Sequence, residues 1–211
     1  TNNVRVENGK LIIQALQETY GGRSYTSGRL KTQGIRAWTF GKMVARIRLP
    51  YGQGIWPAFW MLPSDGVYGT WAASGEIDIV EYLGHQPNRV FGSLHYGGAY
   101  PNNQYTSTAV TLASGNFNEA FHDFALEWEP CAMRWYVDGT LYATKTNWSS
   151  TGGPYPAPFD QRFHILLNVA VGGNLPGSPD GTTVFPQQLQ VDYVRVYQRV
   201  DGNGCTLTFD N

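Results

Sequence analysis

Three carboxylates fall within six residues, Glu76-Ile77-Asp78-Ile79-Val80-Glu81, in a chain with only 16 acids among 211 residues. The β-branched residues between them favour a strand. On a regular strand Glu76 and Asp78 share a face, and Glu81, five positions after Glu76, points the other way. An extra residue in a bulge at Ile79-Val80 returns Glu81 to that face, and bulges re-aim side chains beside active sites. The two glutamates then behave as an i, i+4 pair. At ~3.3 Å per residue their Cα atoms lie about 13 Å apart, and side chains leaning inward by ~4 Å each leave a gap of about 5 Å. That is the spacing of a retaining glycosidase, in which one carboxylate attacks the anomeric carbon and the other gives and then takes a proton; inverting enzymes need about 6.5–9.5 Å. Clustered acids also have two other uses, as the charged edge of a sheet and as ligands for calcium. The surroundings favour sugar chemistry: Trp56, Trp60 and Trp71 lead into the stretch, and His95 and Tyr96 follow it. Indole faces stack on the C–H faces of sugars, although buried tryptophan also simply fills cores.

The elements that must position these residues read as strands. Asn8-Gly9 and Asp138-Gly139 are two-residue hairpin turns, the first within Val4 to Gln14 and the second between Met133–Val137 and Thr140–Thr144. Lys42 to Leu49 alternates charged and apolar residues. Gln190 to Gln198 also alternates, with Val191, Tyr193 and Arg195 facing away from Asp192, Val194 and Val196. Phe163 to Val171 is nearly all apolar and predicts a central strand. The window most nearly helical, Asn116 to Asp123, is barely two turns long. Long loops at Pro63–Ser74 and Gly172–Pro186 are expected to edge a binding site. With 25 Gly, 12 Pro, 7 Trp, 13 Tyr and 10 Phe, the pattern is that of an all-β domain, a sandwich or a barrel. A balance of 15 basic against 16 acidic residues supplies no basic stripe for nucleic acid. No uninterrupted apolar segment is long enough to cross a bilayer as a helix.

The segments GIWPAFWMLP (Gly54 to Pro63), TWAASGEIDIVEY (Thr70 to Tyr82), SLHYGG, ALEWEP, RWYVDG, LLNVAVGGN and VDYVRVYQ together resemble glycoside hydrolase family 16, in its laminarinase-type branch of endo-β-1,3-glucanases. The resemblance implies a jelly-roll sandwich of two curved antiparallel sheets with a concave substrate cleft, over residues 1–200. It implies retaining hydrolysis of β-1,3 or mixed β-1,3/1,4 glucans without a catalytic cofactor. Glu76 matches the nucleophile, Asp78 the assisting acid and Glu81 the general acid/base. Arg29, Trp56, Trp60, Trp71, His95 and Asn168 match cleft positions that bind substrate. Trp128 and Trp135 are assigned to the core, and Glu127 and Glu129 to structure. Relatives that cleave galactans, and β-glucan-binding modules on the same sandwich, are the alternatives; modules of the latter kind lack the glutamates that this chain keeps.

The resemblance further implies a structural calcium, held in part by the Gly9 carbonyl and the Asp192 carboxylate, with Asp210 as a substitute third ligand. Members of the family carry a further initial strand before the stretch at which this chain begins. The tail after Val200, residues 201–211, is expected to fill that place at a sheet edge. Cys131 and Cys205 are expected either to form a bond that ties this tail down or to remain two free thiols. A monomer acting on polysaccharide as a secreted protein completes the reading.

Overall fold

The computed structural model describes residues 2–198. Cys205, Asp210 and the expected tail strand lie outside the described residues. Two antiparallel sheets pack face to face. The larger runs in the order β1 (Val4–Glu7), β2 (Lys10–Tyr20), β14 (Gln187–Tyr197), β5 (Gly41–Arg48), β10 (His122–Trp128), β11 (Met133–Val137) and β12 (Thr140–Lys145), with β3 (Arg23–Thr26) paired to β2. The smaller runs β4 (Arg29–Lys31), β13 (Phe163–Val171), β6 (Ile55–Pro63), β7 (Glu76–Tyr82), β8 (Arg89–Gly97) and β9 (Asn103–Thr111). Sequence neighbours separated across sheets give the crossovers of a jelly-roll sandwich, the all-β class expected.

Both hairpin turns form as their residues require. Asn8 and Gly9 have φ of 51° and 73°, and Asp138 and Gly139 have 49° and 78°, the left-handed pair that matches strand twist. The core lies between the sheets. In β6 the residues alternate strictly: Ile55, Phe59 and Met61 are fully buried, whereas Trp56, Trp60 and Leu62 face away from the core. Phe163, Phe159 and the edge of Trp128 form an aromatic cluster beneath β13, with ring centroids 5.4–5.9 Å apart. Trp128 and Trp135 are core residues, as assigned. Glu127 binds Lys42 at 3.1 Å and the Tyr136 hydroxyl at 2.6 Å, while Glu129 is paired with Arg134 at 2.9 Å. Both acids are structural.

Two local expectations are corrected. Asn116 to Asp123 is not helical: it is a single turn, and His122 already begins β10. Phe117 is drawn wholly into the core, with its ring 5.6 Å from Phe124. Burial of that ring fixes the segment as a turn, against which a two-turn helix has little intrinsic stability. In β14 the alternation breaks at Asp192, where the pairing with β5 skips from Val191–Ile47 to Tyr193–Arg46. The irregularity brings Val194 and Val196 to the face of Leu189 and Val191, opposite the core residues Ala45 and Met43, and turns Tyr193 and Arg195 away from it.

Phe59, fully buried between Trp56 and Trp60 in sequence, anchors the strand that carries both indoles. Phe59→Ala should cost about 3–5 kcal/mol, measured as a fall in the denaturation midpoint with little change in slope.

Candidate active site

The bulge lies where the spacing of the acids requires it. Asp78 pairs with Ser93 and Glu81 with Phe91, so three steps along β7 match two along β8. On the other side Asp78 faces Trp60 while Val80 faces Phe59, which leaves Ile79 as the extra residue. Ile77, Ile79 and Val80 are all in the core, and Glu76, Asp78 and Glu81 share the opposite face. β7 lies between β6 and β8, so the acids are not an edge-strand device.

Each glutamate is met by its own indole. Trp71 Nε1 donates to Glu76 Oε2 at 2.8 Å, and Trp56 Nε1 donates to Glu81 Oε1 at 2.9 Å. Between them stands Asp78, only 5% exposed. His95 Nε2 lies 3.4 Å from Asp78 Oδ2 and 3.9 Å from Glu76 Oε1. Register places His95 there, because it is the cross-strand partner of Glu76. Trp60 Nε1 donates to Asn168 Oδ1 at 2.7 Å, and the Arg29 guanidinium lies over the Trp60 ring at 5.0 Å. Every residue expected to bind substrate therefore sits on the one face.

Three hollows run along this face. One of about 500 Å³ holds Glu76, Glu81, Trp56 and His95. A second, about 430 Å³, adjoins it at Glu76 and is lined by Trp71, Arg29, Lys31 and His164. A third, about 730 Å³, continues from Arg29 and Asn168 toward Ser178 and Pro179. The two long loops border them, through Trp71 in the first and through Leu175, Ser178 and Pro179 in the second. Sequence reasoning missed Tyr105, which is 68% exposed, lines the hollow that holds both glutamates and stacks on His95 at 5.8 Å. Its signal was the β8–β9 register, which sets Tyr105 opposite His95.

Crowding three acids together makes their ionisation costly. Burial, and then the charge of Asp78, push Glu81 up to about 7. Burial, and then the charge of Asp78, push Glu76 up to about 8, opposed by His95 and by the Trp71 N–H. Burial raises Asp78, opposed by its contact with His95. For His95 burial acts downward, but the acids around it, Asp78 foremost, leave it raised and favour the imidazolium. Glu76 faces both an N–H donor and the His95 cation, whereas Glu81 has one indole, yet burial and the Asp78 charge outweigh both, and Glu76 holds its proton at least as tightly as Glu81. Ligand atoms of Glu76, Asp78 and His95 lie within 4.8 Å of one another. The donors aimed at these acids are N–H groups, however, and hard cations such as calcium take oxygen ligands.

A family model for glycosyl hydrolases family 16 matches residues 1–195. The chain belongs to this family. It is 42% identical to glucan endo-1,3-beta-glucosidase A1 of Niallia circulans, over 94% of this chain and 31% of that protein. It is 44% identical to a beta-glucanase of Rhodothermus marinus, over 94% of this chain and 71% of that protein. The X-ray structure of the laminarinase from Rhodothermus marinus superposes with a TM-score of 0.85 at 41% identity, covering 95% of this chain and 82% of that one.

Of the ligands that the resemblance implies for a structural calcium, the described residues include the Gly9 carbonyl and the Asp192 carboxylate. Leu11 pairs with Val191, which brings the Gly9 turn near Asp192, but the Asp192 carboxylate faces Arg46 Nε at 3.3 Å. Calcium takes roughly six to eight oxygens, waters among them, and Asp210, the third ligand expected, lies outside the described residues.

Glu81 binds its proton more tightly in the folded chain than at its ordinary value of 4.5. The stability it contributes is therefore full at low pH and is lost as pH rises through about 7. Glu81→Gln cannot ionise and still accepts the Trp56 N–H. It should melt at least about 2 °C above the native chain at pH 8, the shift that about 1 kcal/mol produces in a domain of this size, with the difference closing toward pH 4. Calorimetry at both pH values checks this; an equal shift at both would refute it.

Proposed function

We propose that the protein is a retaining endo-glucanase that hydrolyses β-1,3-glucosidic bonds in laminarin-like and mixed-linkage β-1,3/1,4-glucans. The observation that carries the reading is the pair of glutamates turned to one face by the β7 bulge, each held by a different indole at the edge of one hollow. The names of its relatives supply the substrate class.

In this reading Glu76 attacks the anomeric carbon as the carboxylate while Glu81 delivers its proton to the departing glycosidic oxygen. The C–O bond to the leaving chain breaks, and an ester to Glu76 forms. Glu81, now ionised, takes a proton from water as that water displaces Glu76, so two inversions return the β configuration. Asp78 lies between the two glutamates, and its negative charge favours the proton on Glu81. His95 balances the charge of Asp78 and Glu76. Trp71 and Trp56, with Trp60 and Arg29 beyond, offer faces and donors to successive sugar rings. The chemistry uses two carboxylates and water, so no cofactor takes part. A polymer too large to enter a cell is met outside it, which supports secretion; one active face per chain is sufficient for a monomer.

Reducing-sugar release from laminarin, barley β-glucan, lichenan, agarose and carboxymethylcellulose tests the reading. Laminarin and barley glucan should be cleaved, and Glu76→Gln should lose at least about 10³-fold in kcat, in line with loss of a covalent nucleophile. Release from agarose alone would transfer the activity to galactans. Tight laminarin binding without release from any polymer would make the protein a binding module.

Fresh products observed by proton NMR should carry the β anomer first and mutarotate afterwards. An initial α anomer would exclude the double displacement.

A further inference from the structure

Trp135, on β11 of the larger sheet, has no exposed surface. Its indole N–H nevertheless crosses the core and donates to the main-chain carbonyl of Asp78 at 2.9 Å. That carbonyl is the last one before the bulge. In a regular ladder a carbonyl points at a neighbouring strand within the sheet. One that accepts from the opposite sheet has turned toward the core. Across from the bulge, β8 sets Gly92 between Ser93 and Phe91, the partners of Asp78 and Glu81. A Cβ on Gly92 would lie 2.5 Å from Trp135 Cδ1 and 2.8 Å from its Nε1, so a residue without a side chain is what admits the indole. Lys145 holds the ring from elsewhere: its Nζ lies 5.5 Å from the ring centroid and donates to Thr106 and Thr108 on β9, each at 3.2 Å.

We propose that Trp135 is a positioning residue for the carboxylates, its N–H fixing the β7 bulge in the register that keeps Glu81 on the cleft face with Glu76. This rests on the roles assigned to those glutamates above. Being wholly buried, Trp135 touches no substrate and acts through the Asp78 backbone. Without its N–H, a buried carbonyl is left unpaired, which is costly. The carbonyl regains a partner by swinging back toward the ladder, and a one-residue slip in a strand reverses every side chain beyond it. Glu81 is the first carboxylate beyond.

Trp135→Phe keeps the ring and deletes the N–H. Gly92→Ala keeps the N–H and displaces it. The matched control is Trp128→Phe, because Trp128 is 1% exposed and its N–H also donates to a core carbonyl, that of Phe159, at 3.0 Å. On laminarin, Trp135→Phe and Gly92→Ala should lose about 10- to 100-fold in kcat, as small misplacements of reacting groups do, with KM within about twofold. The alkaline limb of kcat against pH should move to lower pH as Glu81 leaves the burial and the Asp78 charge that hold its proton. Trp128→Phe should lower the melting temperature comparably and leave kcat and the pH limb in place. Equal kcat losses in Trp135→Phe and Trp128→Phe, or none in either, would overturn the proposal. If the native chain itself is silent on laminarin, the reading of its function fails, and carbon-13 titration of the Glu81 carboxyl decides the positioning role. A midpoint shifted in Trp135→Phe alone supports the role, and unchanged midpoints overturn it.

Discussion

Between Asp78 and Glu81, β7 carries one residue more than the strand on either side, and the sheet accommodates it without breaking. Strand geometry offers two faces and no others, so a residue five positions from its partner belongs to the wrong one. The surplus Ile79 changes that parity while remaining buried, and the cost is an interrupted ladder. Much else on the cleft face follows. Glu76 and Asp78 on one side of the irregularity, and Glu81 on the other, become neighbours of His95 and of two indoles that approach from opposite ends. A catalytic geometry is thus written into backbone counting rather than into a flexible loop, and the strands on both sides of β7 hold it.

The same crowding that makes the site useful makes it unfavourable for the fold. Three acids with one imidazole between them cannot all be charged at modest cost, and burial sharpens the conflict. Indole N–H groups relieve part of it, since they stabilise an anion without adding a full positive charge. The asymmetry of the relief matters most: His95 stands at the Asp78 and Glu76 end, not at the Glu81 end. One glutamate therefore has two groups that stabilise its anion and the other has one, an asymmetry in the direction that the proposed double displacement needs.

What could be read from the residues alone is what short-range rules control. Asn8-Gly9 and Asp138-Gly139 specify their turns through the φ values they tolerate, and the alternation in GIWPAFWMLP separates Trp56 and Trp60 from Phe59. The acid spacing forces a bulge, and it occurs at the residues inferred. The features that escaped depend on partners distant in the chain. Phe117 abandons a helical turn because a core site is open to its ring. Val194 and Val196 change face because β14 slips at Asp192, whose carboxylate meets the Arg46 guanidinium. Tyr105 enters the site only through its pairing opposite His95. Nothing in the neighbourhood of Trp135 in sequence announces that its N–H ends on β7.

Trp71 has two obligations that cannot be met separately. The residue is 40% exposed on the loop that borders the cleft, and its N–H is committed to Glu76. In the proposed reaction, a sugar resting on that ring would steady the donor that steadies the Glu76 carboxylate. Recognition of the neighbouring residue of the polymer and readiness of the carboxylate would become one event, and a saccharide too short to reach the indole would leave both undone. Selectivity for chain length would then be exercised in the rate of bond breaking as much as in affinity, through a single side chain acting as gauge and trigger.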